Sequence, residues 1–542
     1  MEPQRAQRPA ENPLHSPYGL NSRFRVPDWL FLLAVGAFFF FWKLAAFGLI
    51  GADEPRYAQV AREMLARHDW ITPTLGGAAW LEKPPLYYWQ AMTAYSLFGV
   101  SDWAARLPSA CDALLLVLAV YWFLRRFRPG VELDGALMLA TCAGVVGYSR
   151  AASMDMDLAA TFSIAMLAWF AWLESSERKY LAAFYFFLAL AMLAKGPVAP
   201  FLATVVTTIF AASQKSFQAL KKTLWMPGLA IFCLVALPWY AAVQLRNPQF
   251  FRVFILEHNL ARFGTNLYHH PEPFWYYLPV TSLGWVPWTV LVIGAVIWSA
   301  RRLRNQESDR LNAFLLIWIA VVVFFFSISR SKLPGYVLPA IPSGAVLMAQ
   351  WWRERDREKP SALLAGLHAL VASAVIFPAL MIRYILLDPH ALWGRAAVVP
   401  LIATAAIACV IFLLFVKVGW RTLRVATLIP GVVVVGIVLR LGAAPLNQAL
   451  SARAIADELS HYGAGNLSVA VYLVPRETEF GLAFYRNQVV PRYETGQVPD
   501  SEHLLVAAQG YSKGMPKAAG RKTVFLENLA TQKIDVFYVP AK

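Results

Sequence analysis

The sequence predicts an all-α polytopic membrane protein of about thirteen transmembrane helices, with a small α/β domain at its C-terminal end. Hydrophobic residues make up 58% of the 542 residues, and charged residues only 15%. A soluble domain has about 45–50% apolar and about 25% charged residues, so a soluble enzyme of this length is excluded. The apolar residues lie in long continuous runs. These indicate helices, because the strands of a membrane barrel would alternate apolar and polar residues.

Each helix of the prediction rests on an apolar run that can cross the bilayer, for which about 20 residues suffice. The first residues of the chain are polar and the first apolar run is long, so we expect no signal peptide. The predicted spans are 28–49, 104–124, 133–149, 158–173, 180–194, 197–213, 226–243, 278–299, 311–329, 335–352, 361–383, 395–416 and 425–440.

Positive charge gives the orientation of these spans. The formal net charge is +16, and clusters of Arg and Lys precede the first span or follow even-numbered spans. Such clusters lie in the cytoplasm, so we expect a cytoplasmic N-terminus and a periplasmic C-terminus. The same placement explains the basic excess without a nucleic-acid partner. The clusters are 5–25, 125–128, 178–179, 215–222, 301–304, 353–359 and 417–424.

We predict two domains, a transmembrane domain over 1–444 and a soluble periplasmic α/β domain over 445–542. The second domain is indicated by an amphipathic helical pattern over 452–461. Short β-rich runs then follow, at 467–474, 503–507, 523–526 and 534–539.

The first outer loop, 50–103, is too long for a simple connection and carries two pairs of charged residues. Asp53 and Glu54 precede an apolar stripe at helical spacing, which predicts a helix lying on the membrane surface. Helix capping explains one of these acids but not both. Glu82 and Lys83 stand beside two prolines that fix the backbone, followed by aromatic residues typical of the membrane interface. A solvated ion pair within an aromatic belt is the alternative for this second pair.

Two more outer segments carry candidate site residues. Asp155 and Asp157 follow the third span, and an Asp-x-Asp pair can hold a metal or a sugar or simply be solvated. The outer loop 244–277 contains His258, Arg262 and His269 among many aromatic residues. This composition favours a binding surface over a plain interfacial helix.

Basic residues also occur in the tight outer turn between the ninth and tenth predicted spans. Lys332 in this turn, with Arg330, breaks the positive-inside pattern, and Tyr336 follows closely. Cations on the outer side suggest an anionic ligand. Arg and Lys bind phosphate, and carboxylates suit sugar hydroxyls or an ammonium group.

At these residues the chain resembles the polytopic glycosyltransferases that use polyprenyl-phosphate sugars, the protein O-mannosyltransferase-like group with the C-type fold. Within that group it most resembles the bacterial transferases of 4-amino-4-deoxy-L-arabinose to lipid A. The resemblance covers the first ten spans closely, and the C-terminal domain in position and size only. The residues that carry it are Asp53-Glu54, Glu82-Lys83-Pro84-Pro85, Asp155 and Asp157, His258-Asn259 with Arg262, and Ser329, Ser331, Lys332-Leu333-Pro334 and Tyr336.

The resemblance implies an inverting transfer of the aminosugar from undecaprenyl phosphate to a lipid A phosphate, in the periplasmic leaflet of the bacterial inner membrane. The modified lipopolysaccharide carries less negative charge, which gives resistance to cationic peptides such as polymyxin. The implied catalytic residues are Asp53, Glu54, Asp155 and Asp157. The implied ligands of the donor phosphate are Lys83, Arg262, Lys332 and Tyr336. We expect no required cofactor. Whether a divalent metal binds near Glu82, His258 and His269 stays open.

Two alternatives remain open at this point. The same fold could use another sugar or acceptor, as in protein O-mannosylation. A lipid-linked sugar flippase or transporter is the second, although transporters place ionisable groups near the bilayer midplane. Here the polar groups gather at one face, which favours catalysis. The expected partners are the lipid-linked donor, lipid A and membrane lipids.

Overall fold

The computed structural model describes residues 27–261, 272–305, 309–355, 358–462, 467–511 and 520–542. Helices make up most of this chain, because its long apolar runs satisfy their backbone polar groups internally. A π-helix, Ala37–Phe41, continues the first helix, a second π-helix covers Arg252–Ala261, and 3₁₀ segments cover Phe274–Tyr276 and Pro334–Ala340.

The α-helices up to residue 246 are α1 (Asp28–Gly36), α2 (Asp53–Ala66), α3 (Leu86–Phe98), α4 (Asp102–Phe127), α5 (Glu132–Ala140), α6 (Ala143–Ser149), α7 (Met154–Ser175), α8 (Arg178–Lys195), α9 (Val198–Ser213), α10 (Phe217–Thr223) and α11 (Met226–Arg246). The later ones are α12 (Tyr277–Gly284), α13 (Thr289–Arg304), α14 (Arg310–Ile328), α15 (Ile341–Arg355), α16 (Ala362–Ala374), α17 (Ile376–Leu387), α18 (Val398–Val418), α19 (Trp420–Ile437), α20 (Ala443–Leu450), α21 (Ala452–Leu459) and α22 (Arg476–Arg486).

Within the described part of the chain, seven helical segments are long and apolar enough to cross a membrane. An eighth would be the pair α12 and α13, which is bent by 115° at its break. The chain is therefore a multi-pass membrane protein, and the count of thirteen spans stays a prediction. The seven segments are Asp102–Phe127, Met154–Ser175, Met226–Arg246, Arg310–Ile328, Ala362–Leu387, Arg395–Val418 and Thr427–Leu450.

Some predicted spans are broken helices. The predicted span 133–149 consists of α5 and α6, which are separated at Thr141 and Cys142. Trp288 Nε1 donates to Thr141 Oγ1 at 2.9 Å, and the amide of Ala143 donates to the carbonyl of Val286 at 2.7 Å. The break is thus held by hydrogen bonds to the α12–α13 connection, which is itself bent.

Helix α7 lies at the centre of the bundle. Almost every residue from Met154 to Trp172 is buried, and α7 packs against α4 and α8. Its aromatic side chains stack on those of neighbouring helices: the rings of Trp169 and Phe314 are 5.6 Å apart, and those of Phe170 and Phe314 are 5.1 Å apart. This packing holds α7 in the bundle, and Asp155 lies at its opposite, N-terminal end, on the side that the prediction places outside and that is called the outer end below.

Helices α2 and α3 form a layer over the outer end of the bundle. Tyr57, Val60, Ala61 and Met64 lie on the apolar stripe that the sequence predicts, and all four are buried in contact with the apolar face of α3. The predicted start of α2 at Asp53 is confirmed. Two short strands, β1 (Thr74–Leu75) and β2 (Ala78–Ala79), pair antiparallel between these helices.

The C-terminal segment contains a four-stranded sheet covered by α21 and α22. Its strands are β3 (Ser468–Tyr472), β4 (His503–Ala508), β5 (Val524–Leu529) and β6 (Ile534–Val539), in the order β3-β4-β6-β5. β3 runs parallel to β4, and the other pairs are antiparallel. All four predicted strands and the predicted helix at 452–461 are confirmed, whereas α22 was not predicted.

The sheet domain is docked on the outer end of the helical bundle. Tyr485 donates to Asp102 Oδ1 at 2.6 Å and accepts from the amide of Leu49 at 2.6 Å. Arg62, on α2, donates to the carbonyl of Phe484 at 2.8 Å. The approach is so close that a Cβ on Gly48 would overlap the Ser451 side chain.

Candidate active site

The first turn of α2 directs its two acids to opposite environments, because consecutive helix residues do not share a face. Glu54 is buried and accepts from Arg106 at 2.6 Å, from the amide of Ile50 at 3.1 Å and from the amide of Ala152 at 3.2 Å. The fully buried Arg106 also donates to the carbonyls of Leu44, Phe47 and Gly48. Glu54 thus holds the loop that leads into α2, and its catalytic role stays a prediction.

Asp53 faces outward, and its side chain is 49% exposed. The guanidinium of Arg56 forms an ion pair with one of its carboxylate oxygens. Burial alone would lower the pKa of Arg56, but the neighbouring Tyr57, Asp53 and Glu82 outweigh burial and raise it. Arg56 is therefore a fixed cation beside the predicted essential acid.

The position of Arg56 is set by aromatic rings. The guanidinium lies 5.0 Å from the ring centre of Tyr57, 5.2 Å from that of Trp80 and 5.8 Å from that of Phe480. Cations stack favourably on such rings. Phe480 belongs to α22, so the sheet domain contributes a side chain to the surroundings of Asp53.

Glu82 and Lys83 lie in the turn before α3, close to two other site segments. Glu82 Oε1 is 3.6 Å from Nε2 of His258, and Lys83 is near enough to Asp155 for their charges to interact. A carboxylate and an imidazole could both bind a divalent metal, but no group of three potential ligands occurs among the described residues. The predicted residues Arg262 and His269 lie outside the described residues.

The Asp155 carboxylate contacts Ser153 nearby and two residues from distant parts of the chain, Lys195 and Gly335. Ser153 caps α7 by accepting from the Asp155 amide at 3.2 Å, and it donates to the Asp155 carboxylate at 2.8 Å. Lys195 forms an ion pair with the other carboxylate oxygen, and its ammonium lies 4.6 Å from the ring centre of Tyr336. A Cβ on Gly335 would come within 2.6 Å of the Asp155 carboxyl carbon, so glycine permits this approach.

Asp157 points away from this cluster into the helical bundle. It is fully buried next to Asp112 of α4, which accepts from Gln90 at 3.2 and 3.3 Å. The arrangement places Asp157 beneath the outer surface, and its predicted catalytic role remains a prediction.

Lys332 is bound to backbone carbonyls. Its ammonium donates to the carbonyl of Ser329 at 2.5 Å and to that of Glu272 at 3.0 Å. Burial lowers the pKa of Lys332. Next to it, Tyr277 accepts from the amide of Leu333 and donates to its carbonyl. Lys332 thus ties the outer turn to the segment before α12, and a contact with phosphate remains a prediction.

Several of the predicted residues therefore form two adjoining clusters, one around Asp53, Glu82 and Lys83, the other around Asp155 and Tyr336. Glu54 and Asp157 are buried apart from both. Tyr57 interacts electrostatically with both Asp53 and Asp155, and Asp155 with Lys83, which shows that the clusters adjoin.

The prediction did not include Lys195, which pairs with Asp155, or the pairing of Arg56 with Asp53. Lys195 had a recognisable signal. It lies between the fifth and sixth predicted spans, so it is another cation on the outer side, against the positive-inside pattern.

Three comparisons place the chain among known proteins. Residues 82–241 match a family model described as dolichyl-phosphate-mannose-protein mannosyltransferase. The chain is 33% identical over 351 residues to an undecaprenyl phosphate-alpha-4-amino-4-deoxy-L-arabinose arabinosyl transferase of Pseudomonas fluorescens, covering 63% of each protein. It is 30% identical over 388 residues to the Erwinia tasmaniensis protein of the same name, covering 70% of this chain and 68% of that one. For several relatives the match spans less than two thirds of their length, as with the 62% matched in Pseudomonas paraeruginosa.

The fold agrees with a solved structure. The crystal structure of ArnT from Cupriavidus metallidurans bound to undecaprenyl phosphate superposes with a TM-score of 0.77, at 22% sequence identity, covering 94% of this chain and 97% of that one. At this identity the likeness shows a shared, mostly helical fold. The sequence relatives confirm the resemblance itself: the chain belongs to the family of undecaprenyl phosphate-alpha-4-amino-4-deoxy-L-arabinose arabinosyl transferases.

Proposed function

We propose that the chain is a glycosyltransferase that moves 4-amino-4-deoxy-L-arabinose from undecaprenyl phosphate to a phosphate group of lipid A. The observation that carries the proposal is the convergence of Asp53, Lys83 and Asp155 at one face of the bundle, with the cations Arg56 and Lys195 paired to the acids. A site for two phosphate-bearing substrates needs fixed cations, and an aminosugar needs a carboxylate. The names of the sequence relatives agree with this chemistry.

In the proposed reaction an oxygen of the acceptor phosphate attacks the anomeric carbon of the sugar. The bond from that carbon to the donor phosphate breaks, and undecaprenyl phosphate leaves with the bonding electrons. A single displacement inverts the anomeric centre. We assign to Lys83 the stabilisation of negative charge that builds on the leaving phosphate, since such stabilisation is often the largest catalytic contribution.

The acceptor explains why a strong general base is unnecessary. A phosphate monoester has a second pKa of about 6 and is mostly ionised at pH 7. We therefore assign to Asp53 the binding of the sugar ammonium, with Arg56 holding the carboxylate in place. Lys195, beside Tyr336, supplies a cation for the second phosphate. No step is assigned to a metal at Glu82 and His258.

We place this site at the periplasmic face of the bacterial inner membrane. The support is the consistent position of the basic clusters in the predicted topology. A fusion of alkaline phosphatase to residue 542 should be active, because that enzyme works only outside the cytoplasm. An inactive phosphatase together with an active cytoplasmic reporter at the same position would contradict the orientation.

Mass spectrometry of lipid A tests the proposed reaction. Cells that express the chain should gain lipid A carrying an added aminopentose, with less net negative charge and greater resistance to polymyxin. Asp53→Asn should abolish this product while the protein still inserts and folds, because Asp53 is half exposed, its side chain does not cap α2, and Asn keeps its size and polarity. Unchanged lipid A, with sugar instead attached to protein or carried across the membrane, would favour the mannosyltransferase or flippase alternatives.

A further inference from the structure

A cavity of about 650 Å³ lies apart from the candidate active site. It is bounded by the turn after α1, by Trp103 at the start of α4, and by the segment that joins α19 to the sheet domain. In the predicted topology these are the outer ends of the first, second and thirteenth spans. None of the predicted site residues lines this cavity.

The charged residues that line the cavity are all basic. Lys43, Arg440 and Arg453 line it, and no acidic residue does. Arg453 is fixed by an ion pair with Asp102 at 2.8 Å and by Asn447 at 2.9 Å. Lys43 and Arg440 have no carboxylate within ion-pair distance in the part of the chain that the structure describes, and both are exposed. The side chains that line the cavity therefore carry a net positive charge, which would attract an anion.

The walls between these cations are apolar. The nonpolar lining includes Phe41, Leu44, Trp103 and Leu439, of which Leu44 and Leu439 are buried. The apolar walls would not stabilise a free anion. An amphiphile would place its charged headgroup among the basic side chains and its apolar chain against the walls. Tryptophan is also the residue enriched at the level of lipid headgroups.

Long basic side chains at a membrane surface often extend into water without a ligand. Two features distinguish this cavity. Its cations come from three separate segments of the chain and converge on one space, where they repel each other unless an anion lies between them. Lys43 also has φ of 50°, a conformation that non-glycine residues rarely adopt, and the π-helix before it ends in the same turn.

We propose that the cavity binds the phosphate headgroup of an anionic phospholipid of the bilayer, of the phosphatidylglycerol class, with an acyl chain against Phe41 and Leu439. Basic pockets between membrane helices bind anionic headgroups in this way. The bound lipid joins the turn that carries Lys43 to the segment that carries Arg440. Because the carbonyl of Leu44 in that turn also holds Arg106, the lipid stabilises the loop that leads into α2.

The test uses the full-length protein in detergent. Bound lipids are counted by native mass spectrometry, and thermal unfolding is followed, during titration with phosphatidylglycerol, phosphatidylcholine of the same acyl chains, undecaprenyl phosphate or inorganic phosphate. The double variant Lys43→Gln/Arg440→Gln removes the two cations that lack a carboxylate partner. Arg383→Gln is the matched control, because Arg383 is an exposed cation in α17 that does not line the cavity.

We expect one phosphatidylglycerol to bind more tightly than phosphatidylcholine and to raise the unfolding temperature. The double variant should bind it about 30-fold more weakly, from about 1 kcal/mol for each basic side chain and 1.4 kcal/mol for each factor of ten. Arg383→Gln should bind it like the unmodified protein. Equal affinities for the two phospholipids, or an unchanged double variant, would overturn the proposal.

The remaining titrations identify the source of the phosphate. Stabilisation by inorganic phosphate equal to that by the lipid, or a loss confined to undecaprenyl phosphate, would assign the cavity to a free anion or to the donor instead. The proposal does not depend on the transferase activity, so its failure would leave that activity untouched.

Discussion

Lys195→Met is the substitution that tests the second cluster most directly. Lys195 ends α8 and pairs with Asp155, with side-chain exposures of 14% and 19%. Methionine keeps the length and apolar character of the side chain and removes the charge. The variant therefore leaves the packing of α8 in place while the Asp155 carboxylate loses its cation.

The size of the effect follows from this partial burial. Breaking a buried ion pair by removing one partner costs about 3–5 kcal/mol, and an exposed pair is worth about 0–1 kcal/mol. The Asp155 carboxylate keeps the hydrogen bond from Ser153. We therefore expect the free energy of unfolding to fall by about 2 kcal/mol, between these limits.

The effect on the reaction is separate. If Lys195 binds a substrate phosphate, the lost charge-assisted hydrogen bond is worth about 1.5–3 kcal/mol, which is roughly a 10- to 150-fold loss in kcat/KM. The assay is transfer from undecaprenyl phosphate-linked aminosugar to lipid A by purified protein, with each substrate titrated in turn. A loss that grows when lipid A is limiting would identify the acceptor phosphate as the ligand.

A second variant separates the two effects. Lys195→Met combined with Asp155→Asn removes both charges, so stability should return towards that of the unmodified protein while kcat/KM stays low. If the double variant recovered the rate, Lys195 would act only by neutralising Asp155. A folded Lys195→Met protein with unchanged kcat/KM would refute the reasoning.

Three further predictions follow from the same contacts. Lys83→Ala should lower kcat/KM for the donor by roughly 10- to 150-fold, whereas Arg302→Ala, which breaks an exposed pair with Glu354, should leave donor titrations unchanged; equal small losses would contradict the site. Arg106→Met should destabilise the protein by about 3–5 kcal/mol, because Glu54 is left buried without its cation, and a normal unfolding temperature would contradict this. Burial holds the pKa of His503 below its ordinary value, so the unfolded chain binds the proton more readily. The sheet should therefore lose stability as pH falls below about 6.5 towards the folded pKa, seen as faster hydrogen exchange in β4 that His503→Gln abolishes.

The parts of the fold that could be predicted are those set by local sequence. Long apolar runs predict helices because each helix satisfies its own backbone hydrogen bonds, and short runs rich in β-branched and aromatic residues predict the four C-terminal strands. The break between α5 and α6 could not be predicted, because it depends on Trp288, almost 150 residues away from its partner Thr141. The same limit applies to the bend between α12 and α13.

In the candidate site, too, features set by local sequence could be predicted and contacts between distant residues could not. Asp53, Lys83 and Asp155 were identified because acids and cations are unusual in outer loops beside Pro or at a span end. Lys195, the partner of Asp155, was not identified, since it lies 40 residues beyond Asp155 in the chain. Lys332 was identified from the sequence, but the contacts of its ammonium group were not. Its position against the positive-inside pattern predicted a phosphate ligand, and nothing local indicates the carbonyl of Glu272 that it contacts.

The docking of the sheet domain has a consequence for the order of events during synthesis. Helix α2 leaves the ribosome early, but Phe480 beside Arg56 and Phe484 beside Arg62 are among the last residues to be made. The surroundings of Asp53 are therefore completed only after nearly the whole chain has been translated and its final segment has folded against α2. A chain that ended just before Phe480 would carry the candidate membrane spans and lack the contacts of Arg56 and Arg62 with α22. We therefore expect such a truncated chain to insert into the membrane without completing the surroundings of Asp53.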